Sequence, residues 1–369
     1  MALMKIAFDH SIFTRQRYGG ISRYIVHLME ELVRQEQDVA ALAPFHGNEY
    51  LHKSPVHNKG YFVGADFYKI KGPFIYLNGV IGSCQARWDK PDILHETYFA
   101  PWRQASVNTP VVITVHDMTH ERYPELFKPN DPSRALKKKA LKRASSIICI
   151  SDYTRDDLLS YYPEVSDRVK VVKHGFVPLP INADIDIHPL DDKPYMLFVG
   201  SRTGYKNFSG LLKAFASSKQ LREELNLVAF GGGNWTVQEK QLIQHHGLQN
   251  KLVQISGDDA LLSQYYRNAR LFVLPSLYEG FGFPLLESMS LTCPVACSRT
   301  SALPEIAADA AAYFDPTSES EMASVMESLA LDEQLRRENI EKGKLHYSQF
   351  SWNKCATQTM EVYRQLLKN

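Results

Sequence analysis

Nine short apolar runs punctuate the chain, each closing on a polar residue or glycine: "MKIAFDH", "PVVITVHD", "SSIICIS", "RVKVVKHG", "YMLFVGS", "NLVAFGG", "KLVQIS", "ARLFVLPS" and "PVACS". They lack clean alternation and most are β-branched, which suits strands buried on both faces of a parallel sheet. Between them lie helical patterns. "GISRYIVHLMEELVRQ" places Ile21, Tyr24, Ile25, Leu28, Leu32 and Val33 on one stripe, and "ALLSQYYRNA" and "MASVMESLALDEQLRREN" are similar. Strand and helix alternate throughout, the pattern of α/β architecture with right-handed crossovers.

At 369 residues the chain exceeds what one core usually supports. The periodicity fails over residues 176 to 194, "FVPLPINADIDIHPLDDKP", where prolines and aspartates read as a linker. The expectation is two Rossmann-like, doubly wound parallel-sheet domains, 1–180 and 181–350, followed by a terminal amphipathic helix, 351–369. Ligands of open parallel sheets gather outside the carboxyl ends of the strands. Asp9, His116, Ser151, His174, Arg202 and Glu279 sit at such ends, so two domains facing across a cleft would enclose a site.

Bulk properties narrow the partners. A formal net charge of +1 argues against a dedicated nucleic-acid binder. Residues 1–178 hold 24 Lys/Arg against 19 Asp/Glu, which is +5 and leaves −4 for the rest. That asymmetry fits an anionic surface or substrate near the first half, or ordinary scatter of solvated charge. Five cysteines, with one C-x3-C pair and no histidines beside it, read as reduced thiols in a cytosolic protein. "MALMKIAFDH" reads as a strand and not a signal peptide, and no apolar stretch is long enough to span a membrane.

Five constellations carry candidate chemistry. In "LYEGFGFPLLES", Gly280 and Gly282 allow positive φ and close backbone approach, Pro284 fits a first helical turn, and the helix start offers unpaired N–H groups. Glu279 and Glu287 each accept two hydrogen bonds, so they can hold two diols on either side of a diphosphate; the plainer alternative is a dipole-stabilised helix glutamate and an exposed loop glutamate. In "FVGSRTGYKNF", Arg202 and Lys206 stand four apart and suit a leaving diphosphate, or else are solvated cations. "RQRYGGISRYI" offers Gly19 and Gly20 before a helix, with Arg15, Arg17 and Arg23 on the acceptor side or merely in water. His116 in "TVHDMTH" can reach a sugar hydroxyl, while His116, Asp117 and His120 as metal ligands are disfavoured because no helix is expected across a strand end. Finally, Lys137, Lys138, Lys139, Lys142 and Arg143 make a basic helix that meets an anionic membrane or simply solvent.

Taken together, "EGFGFPLLESMS", "VGSRTGYKNF", "YGGISRYI", "TVHD", "CISDYTRDDL" and "SRTSALPEIAADAAAYFDP" resemble glycosyltransferase family 4, the group 1 glycosyltransferases of the GT-B fold. The resemblance runs from about residue 5 to 365 and is nearest to mannosyltransferase-like members that build cell-surface polysaccharides. It implies a retaining transfer from a GDP- or UDP-linked sugar to a glycan or lipid-linked acceptor, with no cofactor and no bound metal. By similarity, Glu287 would hold the ribose hydroxyls and Glu279 the sugar hydroxyls, helped by Gly280 and the Phe281, Gly282 and Phe283 backbone; Arg202 and Lys206 would grip the diphosphate, with Gly20 beside it. His116 would lie near the reacting face of the sugar. The terminal helix would pack back on the first domain, and the protein would be cytoplasmic or peripheral to the inner face of the membrane. "KHG" at His174 departs from the asparagine the family often has there.

Two other readings share these residues. A phosphorylase or epimerase would use the same fold. A non-catalytic nucleotide-sugar sensor or scaffold would bind a donor without turning it over.

Overall fold

In the first sheet of the computed structural model, seven parallel strands run in the order His57–Asn58, Asp38–Leu42, Lys5–Asp9, Ile93–Glu96, Val111–Val115, Ser146–Cys149, Val169–Val171. A second sheet of six parallel strands repeats the plan: Leu252–Ile255, Asn226–Phe230, Tyr195–Val199, Leu271–Leu274, Val295–Ser298, Ala312–Phe314. In each the chain starts in the middle, winds to one edge, then returns and winds to the other. This is the doubly wound order, whose reversal point creates a crevice at the carboxyl ends of two adjacent strands. The structure describes residues 3–64, 66–182, 184, 185, 187, 193–202 and 204–368, so much of the expected linker lies outside the described residues.

The chain divides into two compact units, Met1–Gly175 with Phe350–Asn369, and Phe176–Gln349. Each has its own core. In the first, Ile6, Phe8, Ile93, Val112 and Ile148 from the sheet meet Ile25, Leu28, Met29 and Leu32 of the helix Gly20–Arg34. The terminal helix Trp352–Lys368 adds Trp352, Cys355, Met360 and Tyr363 to this core. In the second, Met196, Phe198, Leu227, Leu271 and Val273 meet Phe208, Leu211 and Phe215 of the helix Phe208–Ser217.

Several sequence expectations need correction. Val33 is exposed and Met29 takes its place on the buried stripe, because an actual helix advances slightly past the drawn pattern. The strand Ile93–Glu96 went unread because it ends in His95 and Glu96, yet both are fully buried. His95 is held by Tyr363 Oη at 2.6 Å and Thr114 Oγ1 at 2.9 Å, and Glu96 by a two-pronged contact with Arg143 at 2.8 and 2.5 Å. Nor is the basic helix Ser133–Arg143 a uniform charged face. Arg143 serves Glu96, and Lys137 is buried against Glu121 at 2.6 Å, leaving Lys138, Lys139 and Lys142 exposed.

Candidate active site

In the second unit the reversal point lies between Tyr195–Val199 and Leu271–Leu274. The loop after the first strand carries Arg202 and Lys206, and the loop after the second carries Glu279. Two links hold these loops together. Leu277 N–H donates to the Tyr205 carbonyl at 2.7 Å, and the Asn207 side-chain amide donates to the Pro275 and Pro316 carbonyls at 3.1 and 2.8 Å. Asn207 has φ +54°, a conformation that asparagine tolerates better than most residues. Sequence reasoning missed it.

The consequence is a close ion pair: Lys206 Nζ stands 2.7 Å from Glu279 Oε1. Ser276 Oγ donates to the same oxygen at 2.8 Å, and the Glu279 N–H donates to Ser301 Oγ at 3.0 Å. Glu279 is thus fixed from both sides, by groups spaced three and twenty-two residues away. Next comes Gly282 at φ +102°, where an added Cβ would also meet Leu303 Cδ2 at 2.8 Å. Only glycine suits that turn. The helix Phe283–Ser290 begins directly after it, with Pro284 in its first turn. Glu287, one turn further on, accepts from Tyr266 Oη at 3.2 Å. Tyr266 is fully buried and its pKa lies well above the usual value because of that burial, so it stays a donor. Gly280, Phe281 and Phe283 lie in the same connection, the two rings 5.2 Å apart.

Arg202 behaves differently from Lys206. Its side chain is 2% exposed and points into the turn after Asn226–Phe230. The guanidinium donates to the carbonyls of Gly231, Gly233 and Asn234 at 2.7, 2.8 and 3.0 Å and to Glu239 Oε1 at 2.7 Å, and lies 4.5 Å from the Trp235 ring centroid. Gly231, Gly232 and Gly233 all have positive φ, which aims three carbonyls at one cation. A Cβ on Gly232 would meet Arg202 Nη1 at 2.6 Å. The triple glycine is a strand-to-helix turn, and Arg202 is its clamp. Glu239 also closes a capping box with Thr236, a T-x-x-E signal legible in the sequence.

In the first unit, Asp9 is not available to a ligand. Its carboxylate accepts from Thr97 N–H and Oγ1 at 2.6 and 2.7 Å, Ser11 Oγ at 2.5 Å and Gln104 Nε2 at 2.9 Å. Ser151 caps the helix Asp152–Tyr161. Gly20 opens its helix, and a Cβ there would meet nothing within 4 Å, so internal packing does not demand glycine at that position. Arg17 pairs with Glu49 at 3.1 Å, Arg15 lies 5.5 Å from the Tyr98 ring centroid, and Arg23 stands in the first turn after Gly20.

His116 follows the wholly buried strand Val111–Val115. Burial takes its pKa from the usual 6.5 to about 4, so the ring is neutral at neutral pH. It meets Tyr24 edge-on at 5.1 Å and His174 at 5.7 Å, and His174 is likewise held neutral by burial. His116 Nε2 is a buried polar atom with no hydrogen-bond partner among the described residues. Such atoms are rare and call for an explanation, of which a ligand is one. His120 stacks on Phe127 at 3.9 Å, and among the described residues no three His, Cys, Asp or Glu side chains gather as a metal site.

Two doubly wound parallel-sheet units, each with a crevice at its reversal point, define the class of fold, and comparisons with known proteins give the family. Residues 18–178 match the family model for glycosyltransferase family 4, and residues 181–346 that for glycosyl transferases group 1. The chain belongs to this family and is a glycosyltransferase of the GT-B fold. It is 28% identical to the O-antigen chain mannosyltransferase B of Escherichia coli, covering 94% of this chain and 96% of that one. Among solved structures, sucrose-phosphate synthase from Thermosynechococcus elongatus matches with a TM-score of 0.74 at 21% identity, covering 98% and 99% of the two chains. The Anabaena Alr3699/HepE complex with UDP-glucose matches at 0.71 and 16% identity, covering 98% and 100%.

Proposed function

We propose that this chain moves a hexosyl group, in the first instance mannosyl, with retention from a GDP- or UDP-linked sugar to a lipid-linked or polysaccharide acceptor in cell-surface glycan synthesis. The observation that carries this reading is the Lys206–Glu279 contact at the reversal point of the second sheet, with Glu287 one helical turn beyond. A cation, two carboxylates and a helix start follow one another there, the chemical groups that a diphosphate flanked by two diols calls for. The names of the O-antigen mannosyltransferase and the UDP-glucose complex support the choice of sugar class and donor.

In this reading Glu287 accepts from the ribose hydroxyls and Glu279 from hydroxyls of the donor sugar. Lys206 neutralises the diphosphate as the bond from the anomeric carbon to phosphate oxygen breaks and its electron pair stays on that oxygen. The acceptor oxygen bonds to the anomeric carbon on the face being vacated, and its proton passes to the departing phosphate. No protein nucleophile and no bound metal take part. His116, neutral at working pH, serves a sugar hydroxyl as a hydrogen-bond partner. Arg202 acts through the Gly231–Gly233 turn and is a positioning residue.

Glu287→Ala is expected to weaken donor binding by about ten- to a hundredfold, the loss of one or two hydrogen bonds to a charged acceptor. Titration calorimetry with GDP-mannose and UDP-glucose reads this directly. Unchanged affinity for every nucleotide sugar would remove Glu287 from the site.

A further inference from the structure

Four buried rings meet in the first unit where the strand Val111–Val115 ends. Tyr24 is common to their contacts: its ring meets His116 edge-on at 5.1 Å, His174 edge-on at 4.2 Å and Trp352 at 5.7 Å, and the two imidazoles stand 5.7 Å apart. Tyr24 is 1% exposed, and none of the other three exceeds 9%. They come from four separate places in the chain. Tyr24 lies one turn after Gly20 on the helix Gly20–Arg34, His116 follows Val111–Val115, His174 follows Val169–Val171 and Trp352 opens the terminal helix. Gly175 admits the last of these, since a Cβ there would meet Trp352 Cα at 2.5 Å.

A second link ties the terminal helix to the same strand. Tyr363 Oη is 2.6 Å from His95 Nδ1, and His95 Nε2 is 2.9 Å from Thr114 Oγ1, two residues before His116. The terminal helix is thus anchored at two points to the surroundings of that histidine.

What Tyr24 offers its neighbours is its ring. The hydroxyl has no hydrogen-bond partner among the described residues, and neither has His116 Nε2. The last torsion of a histidine is soft, so without a partner on Nε2 the neighbouring rings decide where that nitrogen points. Edge-on contacts of aromatic rings are directional enough to do this.

We infer that Tyr24 is a positioning residue: wedged among His116, His174 and Trp352, its ring fixes the His116 imidazole with Nε2 open to a hydroxyl of the donor sugar. The terminal helix, through Trp352, is then part of the support of the site. That Nε2 meets a sugar rests on the proposed function; that Tyr24 holds the ring does not.

Two measurements separate these parts. In protein carrying 15N-labelled histidine, His116 is expected to titrate at about 4. Tyr24→Leu should raise that value by letting water reach the imidazole, while Tyr24→Phe should leave it in place. Calorimetry with GDP-mannose against GDP, and UDP-glucose against UDP, then isolates the sugar's share of binding. His116→Ala is expected to weaken the nucleotide sugar about tenfold and leave the free nucleoside diphosphate unchanged, the loss of one hydrogen bond. Tyr24→Leu should act in the same way to a similar or smaller extent, and Tyr24→Phe should not. Adding Tyr24→Leu to His116→Ala should cost nothing more, because the two side chains act as one unit. Should Tyr24→Leu fold poorly, Trp352→Phe is expected to move the same ratio about threefold. An unchanged His116 titration and unchanged sugar binding in folded Tyr24→Leu, an equal loss in Tyr24→Phe, or additive losses in the double variant would overturn the inference. Wild-type preference for the nucleotide sugar in His116→Ala would instead overturn the sugar contact, and with it the use of His116 in the proposed function.

Discussion

Lys206→Ala is expected to lower kcat by about 10²- to 10³-fold, the usual cost of removing one preorganised charge aimed at a developing anion. The structure makes this a clean test. Lys206 pairs with Glu279 at 2.7 Å, but the carboxylate keeps its Ser276 contact when the lysine is gone, and the pair is only partly buried. Loss of stability should therefore stay near 1 kcal/mol or below. A fall in kcat with nearly constant melting temperature identifies leaving-group stabilisation. A parallel fall in both would make Lys206 a structural cation.

The largest stability effect is expected at Lys137, which resembles its neighbours Lys138 and Lys139 in sequence and differs entirely in place. Its ammonium is 2.6 Å from Glu121 Oε2, with the two side chains 1% and 0% exposed, and it donates to the Asp117 carbonyl at 3.1 Å. Tyr162 Oη donates to the other Glu121 oxygen at 3.1 Å. Lys137→Ala leaves a buried carboxylate without its cation and should cost about 3–5 kcal/mol. Lys138→Ala should stay within about 0.5 kcal/mol. Denaturant midpoints compare the two, and Lys137→Met with Glu121→Leu should recover most of the loss, since the pair is removed together. An equal, small effect of both single substitutions would contradict the buried pair. Because Lys137 also holds the backbone just after His116, the single variant should disturb that histidine's surroundings as well.

The fold was legible wherever a strand was apolar throughout. Val111–Val115 and Leu271–Leu274 announce themselves by composition, but Ile93–Glu96 does not, because its buried polar residues find partners 268 and 47 residues away in the chain. Long-range pairing leaves no local trace. The same reason explains the candidate site. Glu279, Gly282 and Glu287 form one local unit, and their spacing was readable. Arg202 and Lys206 are equally local to each other, yet their side chains part company: Asn207 ties one loop so that Lys206 meets Glu279, while three left-handed glycines draw Arg202 into the neighbouring turn. Tyr266 and Ser301, which steady Glu287 and Glu279, carry no signal in sequence beyond their own polarity.

The central claim is that a hexosyl group leaves a nucleoside diphosphate and arrives on an acceptor hydroxyl with its anomeric configuration kept. Proton NMR of a reaction containing the protein, a panel of α-linked GDP- and UDP-hexoses and a glycan acceptor follows the donor and product anomeric signals at once. Nucleoside diphosphate and an α-linked product are expected to appear together in equal amounts with one of these donors. Free diphosphate without a new glycosidic signal, or a β-linked product, would contradict it.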